Sequence, residues 1–234
     1  MQTIQENIQA VEAKIAAAAE RSGRKREDIL LLAVSKTKPV EVIREATDCG
    51  LTSLGENKVQ EIMDKYEPMG KGIHWHLIGH LQTNKVKYII DKVDMIHSVD
   101  SLRLAEEINK RAAAKNVVMQ ILVEVNMADE ESKFGVKPED TEAFLSALSK
   151  LEHIKVKGLM TVAPFVEKPE ENRIYFRKMR ELLVDMNNKK IHNIHMDELS
   201  MGMTGDYEVA IEEGATIVRV GTGIFGERYY PNKG

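Results

Sequence analysis

Two cations in this sequence stand where a cation is costly. Lys36 closes the apolar run 29-ILLLAVSK-36, with Pro39 three residues on. An amine at the end of a buried strand loses part of its hydration. That favours the neutral, nucleophilic form and makes it a Schiff-base candidate. The same placement also suits a plain contact to phosphate or carboxylate, or a stem that packs while its tip reaches water. Arg219 is set among Ile217, Val218 and Val220. A guanidinium inside an apolar strand either completes a buried ion pair or offers fixed donors to a ligand.

Two glycine-rich segments, 200-SMGMTGD-206 and 218-VRVGTGIFG-226, add anion-binding character. Glycine lets backbone N–H groups approach an anion, and Ser200, Thr204 and Thr222 supply hydroxyl donors, although such segments also make ordinary turns. Met201 and Met203 are placed to flank a ligand. In 74-HWHLIGH-80, His74, His76 and His80 fall on one face of a strand. That spacing suggests a metal, but no acid or cysteine lies close by in sequence, and alternating polar residues also fill a barrel layer. His192 and His195 fall in a loop and are expected to be solvated. No G-x-S-x-G nucleophile elbow occurs. A Schiff-base lysine, a phosphate cradle and an internal arginine together point to pyridoxal 5′-phosphate, whose ring nitrogen is partnered by Asp or Arg.

A scaffold must bring residues 36, 200, 219 and 222 together, and the hydrophobic pattern supplies one. Ile4, Ile8, Val11 and Ile15 form the stripe of an N-terminal helix that ends at Gly23. Strand and helix patterns then alternate: strands at Ile29–Lys36, Leu51–Gly55, His74–His80, Met95–Val99, Val117–Asn126, Ile154–Thr161, Glu198–Met201 and Ile217–Val220. Eight such units without hairpin signals predict an α/β fold, a single (β/α)8 TIM barrel with an extra N-terminal helix, as one domain over residues 1–234. Ligands of such barrels sit at the carboxyl ends of the strands, and phosphates at the loops after the last two. A doubly wound sheet is the alternative; 31-LLAVSKTKPV-40 lacks the glycine fingerprint that it needs.

Composition narrows the classes. The chain has 234 residues, a net charge of −4 and interspersed charges, so no basic footprint for nucleic acid is present. Cys49 is the one cysteine, which excludes a disulfide framework and suggests a reducing compartment; it is expected to pack near a helix end. No signal peptide and no membrane-spanning run is visible, so a soluble cytoplasmic protein is expected.

The motifs 31-LLAVSKTKP-39, 54-LGENKVQE-61, 74-HWHLIGHLQTNK-85, 198-ELSMGMTGD-206 and 218-VRVGTGIFG-226 resemble the pyridoxal phosphate homeostasis protein family, whose members look like the N-terminal barrel domain of alanine racemase. The resemblance covers essentially the whole chain. It implies that Lys36 carries the cofactor as a Schiff base. It further implies that Ser200, Gly221 and Thr222 hold the phosphate, that Asn57 lies near the cofactor, and that Arg219 faces the pyridine nitrogen. A permanently charged arginine there disfavours protonation of the ring, weakening it as an electron sink. Racemases carry a second, all-β domain that supplies a tyrosine base; this sequence has none, and Tyr229 and Tyr230 stand too close to the barrel's end to substitute. Two-base racemisation needs an acid–base residue on each face of the substrate carbon. The expectation is therefore a monomeric carrier, buffer or donor of pyridoxal 5′-phosphate with no catalytic residues, and with apo forms of cofactor-dependent enzymes as possible recipients. A racemase-type enzyme and a barrel without cofactor are the alternatives.

Overall fold

The short apolar runs become parallel strands because each has two buried faces to fill. A computed structural model describes residues 2–130 and 132–227. Its strands are β1 (Leu30–Val34), β2 (Ser53–Glu56), β3 (His74–Leu77), β4 (Met95–Val99), β5 (Met119–Glu124), β6 (Ile154–Met160), β7 (Glu198–Met203) and β8 (Ile217–Val220). They pair in sequence order, and β1 pairs with β8 to close the barrel. The helices are α1 (Ile4–Arg21), α2 (Val40–Asp48), α3 (Val59–Met69), α4 (Val86–Ile89), α5 (Leu102–Ala114), α6 (Thr141–Leu148), α7 (Arg173–Asn188), α8 (Tyr207–Glu212) and α9 (Thr222–Phe225). The fold is the (β/α)8 barrel that the alternating pattern predicts.

Alternation along each strand splits the core in two. Leu31, Ala33, Ile96, Val123 and Val218 join the large outer core between sheet and helices. Leu32, Met95, Leu122, Met160 and Ile217 fill the barrel itself. Truncating one such residue to alanine costs about 2–5 kcal/mol through lost transfer energy and the cavity left behind.

Helix α1 starts at a capping box made by Thr3 and Glu6 and buries Ile8, Val11 and Ile15. It packs on α2, α8 and α9, so it occupies the outer position that a long helix after β8 would take. Asn7 donates to the Ile224 carbonyl at 2.9 Å, and Arg21 pairs with Glu212 at 2.6 Å.

One local expectation is corrected. Cys49 is exposed, because the buried face of α2 carries Ile43 and Ala46 and the cysteine falls at the C-cap, off that stripe. Behind β3, α4 is a single turn preceded by a 3-10 turn, Thr83–Lys85.

Gly202 bends the end of β7. Its φ of +89° is open to glycine, and an added Cβ would stand 2.6 Å from the Ala210 Cβ. The pairing with β8 slips between Ser200 and Met203 at this point, which sets the strand's exit toward the barrel mouth.

Candidate functional site

At the carboxyl ends of the strands lies a cavity of about 650 Å³, where barrels of this kind bind their ligands. Lys36, two residues beyond β1, lines it, together with Asn57, Arg219, Gly221 and Thr222. Asn57 is brought there by a close approach: an added Cβ on Gly79 would stand 2.4 Å from the Asn57 carbonyl, so only glycine lets the segment after β3 lie so near.

Ser200 is the exception among the six residues expected at the cofactor. It is fully buried inside the barrel and does not line the cavity. Its hydroxyl is already engaged, since Arg219 Nη1 donates to it at 2.8 Å and His97 Nδ1 lies 3.0 Å away. His97 Nε2 in turn lies 2.9 Å from His76 Nδ1. Strand alternation turns Ser200 inward from β7, beside Arg219.

Arg219 has 4% exposure and is held by neutral partners, Ser200 Oγ and the Thr161 carbonyl, each at 2.8 Å. Burial pulls its pKa down to about 10, against the raising influence of Asp206 and Glu124, which leaves it charged at neutral pH. Burial likewise pulls His76 down to about 4 and His97 well below its ordinary value, so both rings are neutral.

Across the cavity, Thr204 Oγ1 accepts from the Gly221 and Gly223 N–H groups, both at 3.3 Å, which leaves its own O–H to donate. Asp206, the acid on this wall, is already bound: Met203 N–H and Asn172 Nδ2 each donate to it at 2.7 Å. Asn172 also donates to the Pro164 carbonyl at 3.0 Å, while its Oδ1 is a buried acceptor without a partner among the described residues. Glu124 lines an adjoining cavity of about 380 Å³; burial, reinforced by Asp100 and opposed by Arg219, pushes it up to about 7.

These residues fit an anionic aldehyde. Lys36, Lys133 and Arg219 supply positive charge, Asp206 is spent on its own donors, and Asn172 Oδ1 awaits a donor from whatever fills the space. The rim is open, with Phe165 98% exposed.

The remaining expectations sort as follows. His74, His76 and His80 do not share one environment. His74 and His80 face Asp94 and Asp100 at 3.5 Å, acids that the sequence spacing hid, whereas His76 points into the barrel. His192 and His195 are exposed. Met203 lines the cavity and Met201 packs in the outer core. Lys38 is tied to the carbonyls of Phe225, Gly226 and Glu227. Tyr229 and Tyr230 lie outside the described residues. Asn172, Lys133 and the segment 162–166 were missed. An asparagine just before the apolar stripe of α7 was the one available signal for Asn172.

The model of the alanine racemase N-terminal domain matches residues 6–229. A pyridoxal phosphate homeostasis protein of Aquifex aeolicus is 50% identical over 226 residues, covering 96% of this chain and 98% of its own. The structure of PipY from Synechococcus elongatus with pyridoxal phosphate bound is 32% identical with a TM-score of 0.84, covering 96% of this chain and all of PipY. Alanine racemase of Corynebacterium glutamicum, 15% identical with a TM-score of 0.70, covers 94% of this chain but 62% of its own and shares the fold alone. A charged cavity at the mouth of a racemase-type barrel, in a chain that these relatives match nearly end to end, makes this protein a member of the pyridoxal phosphate homeostasis protein family.

Proposed function

We propose that this chain binds pyridoxal 5′-phosphate through Lys36 and serves as its carrier, buffer or donor in the cytoplasm. In this reading it is a monomeric unit over residues 1–234 without turnover of its own. The observation that carries the reading is the convergence of Lys36 and Arg219 on one open cavity, where the carboxylate of Asp206 is engaged by the Met203 N–H and the Asn172 amide. The cofactor supplies an aldehyde that condenses with an amine. Lys36 contributes that amine, Thr204 and Thr222 contribute donors for the phosphate, and Arg219 presents a fixed positive charge to the ring.

Three features favour holding over turning over. Arg219 stays charged and denies the ring the proton that would stabilise a carbanion. The open rim does not exclude water, which long-lived reactive intermediates require. Among the described residues no tyrosine lines the cavity to act as a second base. Recipients would be apo forms of enzymes that use the same cofactor.

The test is an absorbance spectrum of the purified protein, followed by borohydride reduction and peptide mapping. Lys36→Ala is expected to abolish both the visible band and the trapped adduct while leaving the fold intact, because the lysine is partly exposed and its tip contributes little packing. A band that survives would move the cofactor to another lysine. Lys38 is a poor substitute, since its amine is bound to three carbonyls. Sustained inversion of any single L-amino acid would end the carrier reading.

A further inference from the structure

Behind Lys36, on the outer face of the barrel, lies a second charged group that the cavity does not use. Lys65 of α3 is 7% exposed, and all three protons of its ammonium are spent. It donates to Glu56 Oε1 at 2.8 Å, to Glu61 Oε2 at 2.9 Å and to the Ser35 carbonyl at 3.0 Å. Each acceptor grips the same turn. Ser35 Oγ donates to Glu56 Oε1 at 2.6 Å, and the Thr37 N–H donates to Glu61 Oε2 at 2.6 Å. The cluster therefore fixes the residue on either side of Lys36 and leaves Lys36 itself to point the other way, into the cavity.

The turn needs such a grip. Thr37 has φ of +65°, a conformation that a β-branched residue adopts only when its surroundings impose it. The carboxylate of Glu61 supplies that imposition, since it receives the Thr37 N–H directly. Glu61 is itself aimed by Lys65, one helical turn along α3.

We infer that Lys65 and Glu61 are positioning residues, which hold the 35–37 turn so that the Lys36 amine meets the aldehyde carbon of the bound cofactor. The inference rests on the reading that Lys36 is the cofactor's amine. In the step served, the amine nitrogen adds to the aldehyde carbon and the aldehyde oxygen leaves as water, so no further reactant is needed. The cluster itself does not touch the ligand.

The experiment compares two ligands on Glu61→Ala, a change at a half-buried site that leaves the Lys65–Glu56 pair in place. Pyridoxine 5′-phosphate has a hydroxymethyl group where pyridoxal 5′-phosphate has its aldehyde, so it samples the phosphate and ring contacts without the amine. Affinity for pyridoxal 5′-phosphate is expected to fall at least about tenfold, the weight of one charge-assisted hydrogen bond. Affinity for pyridoxine 5′-phosphate is expected to hold within about twofold. Adding Thr37→Gly to Glu61→Ala should restore much of the loss, because glycine accepts that φ without support. Equal weakening of both ligands, or of neither, overturns the inference. Independently of any variant, the Thr37 amide of the unmutated protein should exchange with solvent slowly, and exchange at the rate of an unstructured chain overturns it as well. A reduced adduct on the unmutated protein that maps away from Lys36 would instead sink the underlying reading.

Discussion

Two buried cations flank the barrel mouth, and their partners differ in kind. Lys65, outside the sheet, is surrounded by two carboxylates and a carbonyl. Arg219, inside it, is held by a hydroxyl and a carbonyl, with neutral histidines behind. A cation whose charge is cancelled locally has nothing left for a ligand and serves the fold. A cation fixed by neutral dipoles keeps its field for whatever enters the cavity. Burial alone does not separate the two residues, which are 7% and 4% exposed; the charge of their neighbours does.

The largest difference in stability follows from that contrast. Lys65→Met should cost about 3–5 kcal/mol, because it leaves Glu56, fully buried, without its counter-ion. Burial outweighs the Lys65 and Ser35 bonds and already pushes Glu56 up to about 7. Replacing Glu56 by methionine in the same chain should recover most of the loss, since removing both partners of a buried pair is close to neutral. Urea midpoints of the single and double variants measure this. A double variant no more stable than the single one would mean that Glu56 holds the fold by some other contact.

A second test uses acidity to probe the cavity side. Glu124 stands at about 7 in the folded chain against an ordinary 4.5. Between those values the folded state keeps a proton that the unfolded state has lost. Its contribution therefore favours folding at low pH and is withdrawn as pH rises from about 4.5 to about 7. Glu124→Gln lacks this dependence. The wild type should lose up to about 3 kcal/mol relative to the variant across that window. Parallel stability curves for the two proteins would show that the Glu124 carboxyl is better solvated than its burial implies.

The contrast between the two cations was only half legible in the sequence. Arg219 announced itself as a charge in an apolar strand, and Lys36 as the residue that ends one. The barrel followed from the alternation of short apolar runs, the length of strands buried on both faces, with longer amphipathic stretches. Lys65 gave no such sign: an amphipathic helix carries lysines for many reasons, and its partners Glu56 and Ser35 come from β2 and from the turn after β1. Asn172 was hidden likewise, since its partners Asp206 and Pro164 come from separate loops. Side chains that meet only across tertiary contacts leave no spacing to read. Ser200 shows the converse case, in which a motif singles out the residue while the period of two along the strand decides which way its hydroxyl turns.

Ser200 gives the smallest and sharpest test. Arginine only donates, so Ser200 Oγ must accept from Arg219. Its own proton then goes to His97 Nδ1, which puts the His97 proton on Nε2 and makes His76 Nδ1 an acceptor. This assignment satisfies every link with both rings neutral, as their lowered pKa values require. Ser200→Ala strands one Arg219 N–H and the His97 acceptor, and should cost about 1–2 kcal/mol in urea unfolding. Affinity for pyridoxine 5′-phosphate should nevertheless stay within about threefold of wild type, because Ser200 is fully buried and does not line the cavity. A loss of tenfold or more, with stability unchanged, would return Ser200 to the phosphate and remove the neutral support that sets Arg219 apart from Lys65.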